Sequence, residues 1–489
     1  MRIFAKTLRN RMMPKEDGER KMKKLSRSAY EDMKGFVRVA ETLLEVLVMT
    51  LLYYGAWKQG YTLDYFAYKG KYVLMGVYAL LLYVFFQNSE CTMFGQLHRV
   101  DLILGQVISL FLVNFITYFQ LCLIGNAMLS PMPMVLLLLL EIAAAIALTY
   151  LYTGLYHRLY APHDMLLIYG NKRGVGLKIK MDTRKDKYNI RKLVSIDEGM
   201  EVICREIPKY DAVILSDVPA EIRNDILKYC YRRRVRTYVA PKLTDIMIRG
   251  AKNISLFDTP LLLVKGTGLT PAQRVAKRLM DIVLCSIAMI PAAPVMLVIA
   301  VAIKLEDGGP VFYRQKRLTR NGVEFDILKF RSMIVDAEKY DGAVLATEKD
   351  PRITRVGRVI RAIRLDELPQ LLNILRGDMS IVGPRPERKV IADEYCKEMP
   401  EFAYRLKVRG GLTGYAQIYG KYNTDPYDKL RLDLMYIENY SLLLDVKLIL
   451  RTVRVLFSRE STEGIDVAQE NQKKAEALAQ QLEEEPKED

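Results

Sequence analysis

The chain has 489 residues, 51% hydrophobic and 27% charged, a mixture that excludes both a uniformly soluble and a uniformly membranous protein and leaves room for two or three domains with cores of their own. The net charge of +16 is unevenly placed: residues 460–489 carry ten Asp/Glu against three Lys, a net of −7 that leaves +23 on the rest. A basic body suits an anionic lipid surface, at ~1 kcal/mol per Lys or Arg near it. Nucleic acid is the rival reading of such charge, and it is set aside because the apolar spans below account for the bias. The six cysteines are scattered, with no CxxC, which argues against a zinc site or a disulfide framework.

Residues 1–36 hold eleven Lys/Arg and five Asp/Glu. They read as a basic cytosolic segment, because no small-residue cleavage site follows the first apolar run. Four apolar segments follow within 37–157. The first, 39–57, is the weakest, with Glu41 and Glu45 at its start. Then come 72–87, 102–124 and 131–156, the last carrying Glu141. Each approaches the ~20 residues that cross ~30 Å of hydrocarbon. The positive-inside bias places the N-terminus in the cytosol, and four spans return the chain there near residue 157. Glu141 reads as a protonated acid hydrogen-bonded to a neighbouring helix rather than as a working charge. A channel or carrier built on these spans is disfavoured, since only the last is expected to hold a mid-membrane acid.

Residues 164–265 change character. Short apolar strands at 165–169, 211–216 and 235–240, with an amphipathic helix at 221–233, predict a doubly wound, Rossmann-like α/β module. Its glycines, Gly170, Gly174 and Gly176, do not form G-x-G-x-x-G, so the module reads as degenerate, for regulation or self-association rather than nucleotide binding. A Gly-Thr-Gly-Leu-Thr-Pro linker at 266–271 opens a further unit, 272–458. The last residues, 459–489, read as an acidic tail, disordered or a solvated helix.

Within the 272–458 unit, residues 282–303 are free of charge but hold Pro291 and Pro294 near the middle. A central proline costs a helix ~3 kcal/mol, through a lost hydrogen bond and a clash with the carbonyl four back. The flanks are basic on both sides: Arg274, Lys277 and Arg278 before, Lys304, Arg314, Lys316, Arg317 and Arg320 after. Both ends are therefore predicted on the cytosolic side. The expectation is a re-entrant helix–break–helix over 279–303 that enters one leaflet and returns.

No histidine lies beyond residue 163, so chemistry in the C-terminal half has no His base to activate a Ser or Cys, whereas a carboxylate attacks unaided. Five strings follow in order: Lys277-Arg278 with Asp281; Gly309-Pro310-Val311-Phe312-Tyr313-Arg314-Gln315-Lys316-Arg317; Lys329-Phe330-Arg331-Ser332-Met333; Leu365-Asp366-Glu367-Leu368-Pro369; and Gly383-Pro384-Arg385-Pro386. Eight Arg fall between 352 and 388, and Arg offers planar paired donors suited to phosphate. Adjacent acids in a helix point ~100° apart, so one can attack phosphorus while the other ligates a hard cation. Mg²⁺ takes one or two carboxylates plus substrate phosphates. The Gly-Pro turn can hold Arg385 rigidly toward such a site.

From about residue 275 to 455 these strings resemble the bacterial sugar transferase family, the polyprenyl-phosphate phosphoglycosyltransferases that prime exopolysaccharide, capsule and O-antigen synthesis. The added spans and α/β module resemble its long, multi-span branch. The resemblance implies a small α/β catalytic domain on a re-entrant membrane helix at the cytosolic face of the bacterial plasma membrane. It implies ping-pong transfer of a sugar-1-phosphate from a UDP-sugar to undecaprenyl phosphate, with UMP released. Asp366 would carry the covalent phospho-sugar and Glu367 the Mg²⁺. Arg385 would contact phosphate, with Lys277, Arg278, Lys329 and Arg331 as further phosphate-binding positions. The lipid bilayer and other polysaccharide-assembly proteins are implied partners, and a homodimer is compatible with the extra spans and module. A membrane scaffold or regulator with reduced catalysis is the alternative. Three positions depart from the family pattern: Ala293-Pro294 where Ser-Pro is usual, Gly410-Gly411 where Pro-Gly is usual, and Thr319 where glycine follows the Gln-x-Arg string. Asp433, Tyr436 and Asp445, in helical stretches 427–439 and 442–457, read as packing, as does the stripe Leu430, Leu434, Leu448 and Val455.

Overall fold

Apolar stretches without an interior proline fold into four long helices, α1 (Asp17–Gly60), α2 (Gly70–Ser89), α3 (Arg99–Ile124) and α4 (Met132–Leu159). The computed structural model describes residues 17–60, 69–94, 97–159, 162–184, 187–256, 258–335, 350, 352–420 and 424–457. The predicted acidic tail and the first sixteen residues of the basic segment lie outside these, as does the side chain of Val455. The chain forms two compact units, 1–159 and 160–489.

In the first unit α1 packs on α2 and α4, and α3 packs on α2 and α4, closing a four-helix ring. Met49, Leu82, Leu110 and Ala145 are fully buried between them. Leu51, Leu80, Phe111, Phe115 and Leu139 face outward. A helix apolar on its outer face as well as its inner one matches a lipid environment. Helices α2, α3 and α4 are long and apolar enough to cross a membrane. Two polar layers interrupt the bundle core. In one, Tyr78 and Asn114 both donate to Glu141, Asn114 Nδ2 at 2.5 Å. In the other, Gln106 donates to Glu45 at 2.6 Å and accepts from Thr149 at 2.9 Å. Glu141 is thus hydrogen-bonded across helices, as expected. Glu45 corrects the reading that only the last span buries an acid: α1 begins well before it, so Glu45 lies deep in the bundle, fully buried.

The second unit opens with β1 (His163–Tyr169), α5 (Lys172–Asp182), β2 (Tyr188–Ser195), α6 (Met200–Glu206), β3 (Ala212–Ser216), α7 (Ala220–Arg233), β4 (Arg236–Val239) and α8 (Leu243–Arg249). The strands form one parallel sheet in the order β2-β1-β3-β4. Strand β2 escaped the sequence reading because its charged residues, Arg191 and Lys192, mask the apolar alternation. At the end of β1, Asn171 caps α5 by accepting from Gly174 N and donates to Asp217 at 2.6 Å. A carboxylate at that helix start repels a phosphate. An antiparallel hairpin, β5 (Lys252–Leu256) and β6 (Thr259–Leu263), follows.

Helix α9 (Pro271–Asp307) starts at a capping box: Thr270 accepts from Gln273 N, and Gln273 accepts from Thr270 N. Pro271 sits at its first position. The remaining elements are β7 (Phe312–Leu318), β8 (Glu324–Phe330), α10 (Arg355–Ala362), α11 (Gln370–Arg376), β9 (Ser380–Val382), α12 (Lys389–Glu398), β10 (Gly411–Thr413), α13 (Tyr415–Tyr419), α14 (Pro426–Glu438) and α15 (Leu442–Phe457). Strands β7 and β8 pair antiparallel, and β9 and β10 pair parallel. Val382, Phe402, Leu430, Leu434 and Leu448 share a core with Ile246 of α8 and Leu269. The segments predicted as separate domains, 164–265 and 272–458, are thereby joined. Gly250 packs so closely on Glu438 that a Cβ there would lie 2.6 Å from its side chain.

The expected interruption of α9 is not seen: residues 271–307 are helical throughout, Pro291 and Pro294 included. The physical reason is packing on either side of the prolines. Cys285 and Ala292 bury against Leu371 and Ile374, and Ile299 and Ile303 bury against Phe330 and Ile360. At its start, Lys277 pairs with Asp445 at 2.6 Å, and Tyr436 donates to the same carboxylate at 2.7 Å. Asp281 accepts from Ser380 Oγ at 2.8 Å and Ile381 N at 3.1 Å, fixing β9 to the helix. Lys277 is 8% exposed and Asp445 not at all, so removing one partner strands a buried charge. Lys277→Met is expected to cost ~3–5 kcal/mol, and Lys277→Met with Asp445→Leu to cost less than Lys277→Met alone. Thermal melting of the purified protein checks both.

Candidate active site

Arg364 takes the left-handed conformation at φ +56, and a single 3-10 turn, Leu365–Glu367, follows it. The sequence reading placed the two acids in an α-helix; the tighter turn sets successive side chains ~120° apart instead. Leu365 and Leu368, three apart, face the same way and join the cluster of Ile299, Ile303 and Phe330. Asp366 and Glu367 are thereby turned away from that core.

Glu367 gathers the positive charge. Its Oε1 accepts from Lys329 Nζ at 2.7 Å and from Arg385 Nη2 at 3.1 Å. Lys329 lies on β8 opposite Tyr313. Its strand is tied to α11 by Asn373, which accepts from Leu328 N at 2.9 Å and donates to the Asp326 carbonyl at 2.9 Å. Burial alone would raise the Glu367 carboxyl, but Arg385 and Lys329 outweigh it and hold the group well below the usual carboxylate range. Asp366 moves the other way. Burial pushes it above its ordinary value, against Lys329, and neighbouring Glu367 adds to the rise. The two adjacent acids therefore have different charge environments, one neutralised by two cations and one left available.

Of the residues singled out from sequence, the fold brings together Asp366, Glu367, Lys329 and Arg385. It commits three others elsewhere. Lys277 belongs to the buried pair with Asp445 and lies over the rings of Tyr436 and Tyr440, 5.8 and 5.5 Å from their centroids. Arg278 donates to the carbonyls of Ile374 and Leu375 at 2.5 and 2.7 Å, satisfying the open C-terminal end of α11. Arg331 is 7% exposed and donates to Asp307 against Gly309, where no Cβ would fit. Lys277 and Arg278 thus direct their donors to a buried acid and a helix end, whereas Arg331 keeps Nε and Nη1 buried without a hydrogen-bond partner among the described residues.

Sequence reasoning missed Asn373, fully buried in the apolar run Leu371-Leu372-Asn373-Ile374-Leu375. A lone amide in such a run was the available signal. It also missed Arg405, only 3% exposed, whose partner Asp433 is 2.8 Å away. Thr319 and Gly410, both departures from the family pattern, meet: Gly410 N donates to Thr319 Oγ1 at 3.3 Å.

Residues 272–459 match the family described as bacterial sugar transferase. The chain is 43% identical over 213 residues to the UDP-glucose:undecaprenyl-phosphate glucose-1-phosphate transferase of Caulobacter vibrioides, covering 42% of this chain and 79% of that one. The chain belongs to the bacterial sugar transferase family. The exopolysaccharide production protein ExoY of Rhizobium meliloti is 37% identical over 220 residues, 42% of this chain and 96% of that protein. The UDP-N-acetylgalactosamine-undecaprenyl-phosphate N-acetylgalactosaminephosphotransferase of Aeromonas hydrophila is 38% identical over 262 residues, 51% of this chain. The chain covers 60% of that relative's length. The site described above lies wholly within the matched region.

The opposed shifts of the two acids predict opposed variants. Asp366 titrates above its unfolded value, so its ionised form weakens the fold at neutral pH. Asp366→Asn is expected to leave the melting temperature unchanged or slightly higher. Glu367 titrates below its unfolded value, so its contribution is present above that value and lost as pH falls through the folded one. Glu367→Gln is expected to cost ~1–3 kcal/mol, toward the lower end because solvent screens Arg385, 42% exposed. Calorimetry at neutral pH distinguishes the two.

Proposed function

We propose that the chain transfers a sugar-1-phosphate from a UDP-sugar to undecaprenyl phosphate and releases UMP, as a first step of surface polysaccharide synthesis. The observation that carries this reading is the pairing of an uncommitted carboxylate, Asp366, with a carboxylate already neutralised by Lys329 and Arg385. The transferase names of the Caulobacter and Aeromonas relatives support the substrate classes. An Asp366 oxygen attacks the β-phosphorus of the UDP-sugar. The bond from that phosphorus to the bridging oxygen breaks, and UMP leaves with the electron pair. The phosphate oxygen of undecaprenyl phosphate then attacks the same phosphorus, the aspartyl bond breaks, and the Asp366 carboxylate is restored. Arg385 and Lys329 stabilise the negative charge that gathers on the phosphates.

Mg²⁺ fits this donor set in part. Among the described residues no group of three or more acids, His or Cys could hold a metal ion alone, and Mg²⁺ is commonly held by one or two carboxylates completed by substrate phosphates. Glu367 keeps Oε2 clear of the Lys329 and Arg385 contacts and would hold the ion, which supplies positive charge against the phosphates when bound.

Contacts along α9 support both of its ends lying on one side of the membrane, and its basic flanks favour the cytosolic face of the plasma membrane. At 37 residues it is ~55 Å long at 1.5 Å per residue. Yet it touches the catalytic unit from Lys277 through Cys285 and Ile299 to Asp307. A helix crossing ~30 Å of hydrocarbon could not keep a polar domain along its whole length. Its other face exposes Ile287, Ile290, Leu297, Val298 and Leu305, the apolar surface that a single leaflet would take. The exposed leucines of hairpin β5–β6, Leu256, Leu261, Leu262 and Leu263, support a homodimer.

Incubation of the purified chain with undecaprenyl phosphate, Mg²⁺ and a panel of UDP-sugars is expected to release UMP. Asp366→Asn should abolish release, and without undecaprenyl phosphate the wild type should gain the mass of a sugar phosphate. Release of UDP would overturn the reaction, and undiminished turnover in Asp366→Asn would favour a different nucleophile. A retained fold with no turnover would favour the scaffold reading. Turnover should fall on an acidic limb lying above the ordinary aspartate value of 3.8, because only ionised Asp366 attacks. Lys304→Cys should label with impermeant maleimide from the cytosolic side alone.

A further inference from the structure

The turn that presents Arg385 is held by its carbonyls. Pro384 and Pro386 have no N–H to give, so the acceptors of the segment carry much of its anchoring. Four consecutive carbonyls are all engaged. Pro384 O accepts from Gly411 N at 2.9 Å, and Glu387 O accepts from Leu318 N at 2.9 Å. Between them, Arg385 O accepts from Arg405 Nη2 at 3.0 Å and Pro386 O accepts from Arg317 Nη1 at 3.1 Å. The first and last locks are ordinary backbone bonds. The middle two come from guanidinium groups.

Arg405 is the more deeply committed of these two. It is 3% exposed, and the nitrogen that bonds Arg385 O also pairs with Asp433 at 2.8 Å, itself 1% exposed. Its other terminal nitrogen reaches Glu387 at 3.5 Å, and the group lies over the Phe402 ring, 4.8 Å from the centroid. These contacts hold the Arg385 turn against α14. None reaches Asp366 or Glu367.

We propose that Arg405, aligned by Asp433, is a positioning residue for the transfer reaction: it fixes the main chain of Arg385 so that the Arg385 side chain meets Glu367 and the substrate phosphate. This rests on the function proposed above. Arg385 is 42% exposed, so its own packing does not fix it, and a shift of its main chain would move the guanidinium off the shared Glu367 oxygen. Misplacement by ~1 Å far from the chemistry can cost ~100-fold in rate. Lysine at 405 keeps the charge toward Asp433 but lacks the fork that serves two acceptors at once.

The test uses the full chain in lipid nanodiscs and two readouts. Arg405→Lys is expected to lower kcat for UMP release by ~10- to 100-fold, with little change in KM for the UDP-sugar. In an Arg385→Ala background the same change should add no more than ~3-fold, since the residue it positions is already gone. Deuterium uptake over 383–392 should rise in Arg405→Lys while uptake over α14 stays as in wild type. Full additivity with Arg385→Ala, or unchanged uptake over 383–392, overturns the proposal. If Arg405→Lys does not accumulate as folded protein, Asp433→Asn carries the same measurements, because it keeps the shape and removes the aligning charge. Absence of UMP release by the wild type would overturn the proposed function, and the deuterium readout, which needs no substrate, would then decide the role of Arg405 by itself.

Discussion

A single carboxylate oxygen, Glu367 Oε1, receives both Lys329 and Arg385, and the catalytic unit is arranged around making that possible. The two cations come from elements far apart in sequence, an antiparallel hairpin and a proline-bounded turn. Each carries the desolvation cost of approaching the other, and only the shared acid offsets it. With Glu367 engaged on two sides, Lys329 is directed to it rather than to Asp366. A nucleophile saturated by its own salt bridges would be a poor one. The neighbour absorbs those bridges and leaves Asp366 clear of them, as the proposed reaction requires.

The same economy of charge recurs behind the site. Lys277 with Asp445 and Arg405 with Asp433 are buried pairs that tie α9 to α15 and the 400–407 turn to α14. Apolar pairs of equal volume could stabilise as well or better, but they would not set a register. Asp281 illustrates the difference, since its two oxygens accept from consecutive positions at the start of β9 and allow only one placement of the strand. Thr319 and Gly410 show how such a device tolerates drift. A proline at 410 would have no N–H. Glycine there supplies one, and the hydroxyl of Thr319 accepts it while donating to the Asp378 carbonyl at 2.8 Å. Two departures that look independent along the chain are one hydrogen bond in space.

What could be read from sequence follows the range of the interaction. The helices of the first unit and the strands β1, β3 and β4 carry apolar patterns that depend on neighbours within a few residues, and they were legible, whereas the capping box at Thr270 was passed over as linker. Asp366, Glu367, Lys329 and Arg385 stood out by residue type, and the fold brings them together. The partners of Lys277, Arg278 and Arg331 lie 168, 96 and 24 residues away. Nothing local distinguishes a cation committed to an acid or a carbonyl of the fold from one reserved for a phosphate. The continuous course of α9 was hidden for the same reason: its prolines are local, whereas the contacts from α10, α11 and β8 on either side of them are not.

Depth also constrains the proposed reaction. Leu365 and Leu368 stack on one side of the 3-10 turn and pack with Met296, Ile299 and Ala300 of α9, just past Pro294. The opposite side of that same stretch exposes Val295, Leu297, Val298 and Val301. Asp366 is therefore held within a few side-chain lengths of an apolar surface, on a turn whose polar face points away from it. A lipid-borne phosphate lies at the boundary between headgroup and hydrocarbon, and a nucleotide-sugar arrives from water. A nucleophile anchored to the membrane helix by its flanking leucines, rather than carried on a free loop, keeps one height relative to that boundary. Both halves of a ping-pong transfer need that same height, because the phosphorus stays on Asp366 between them.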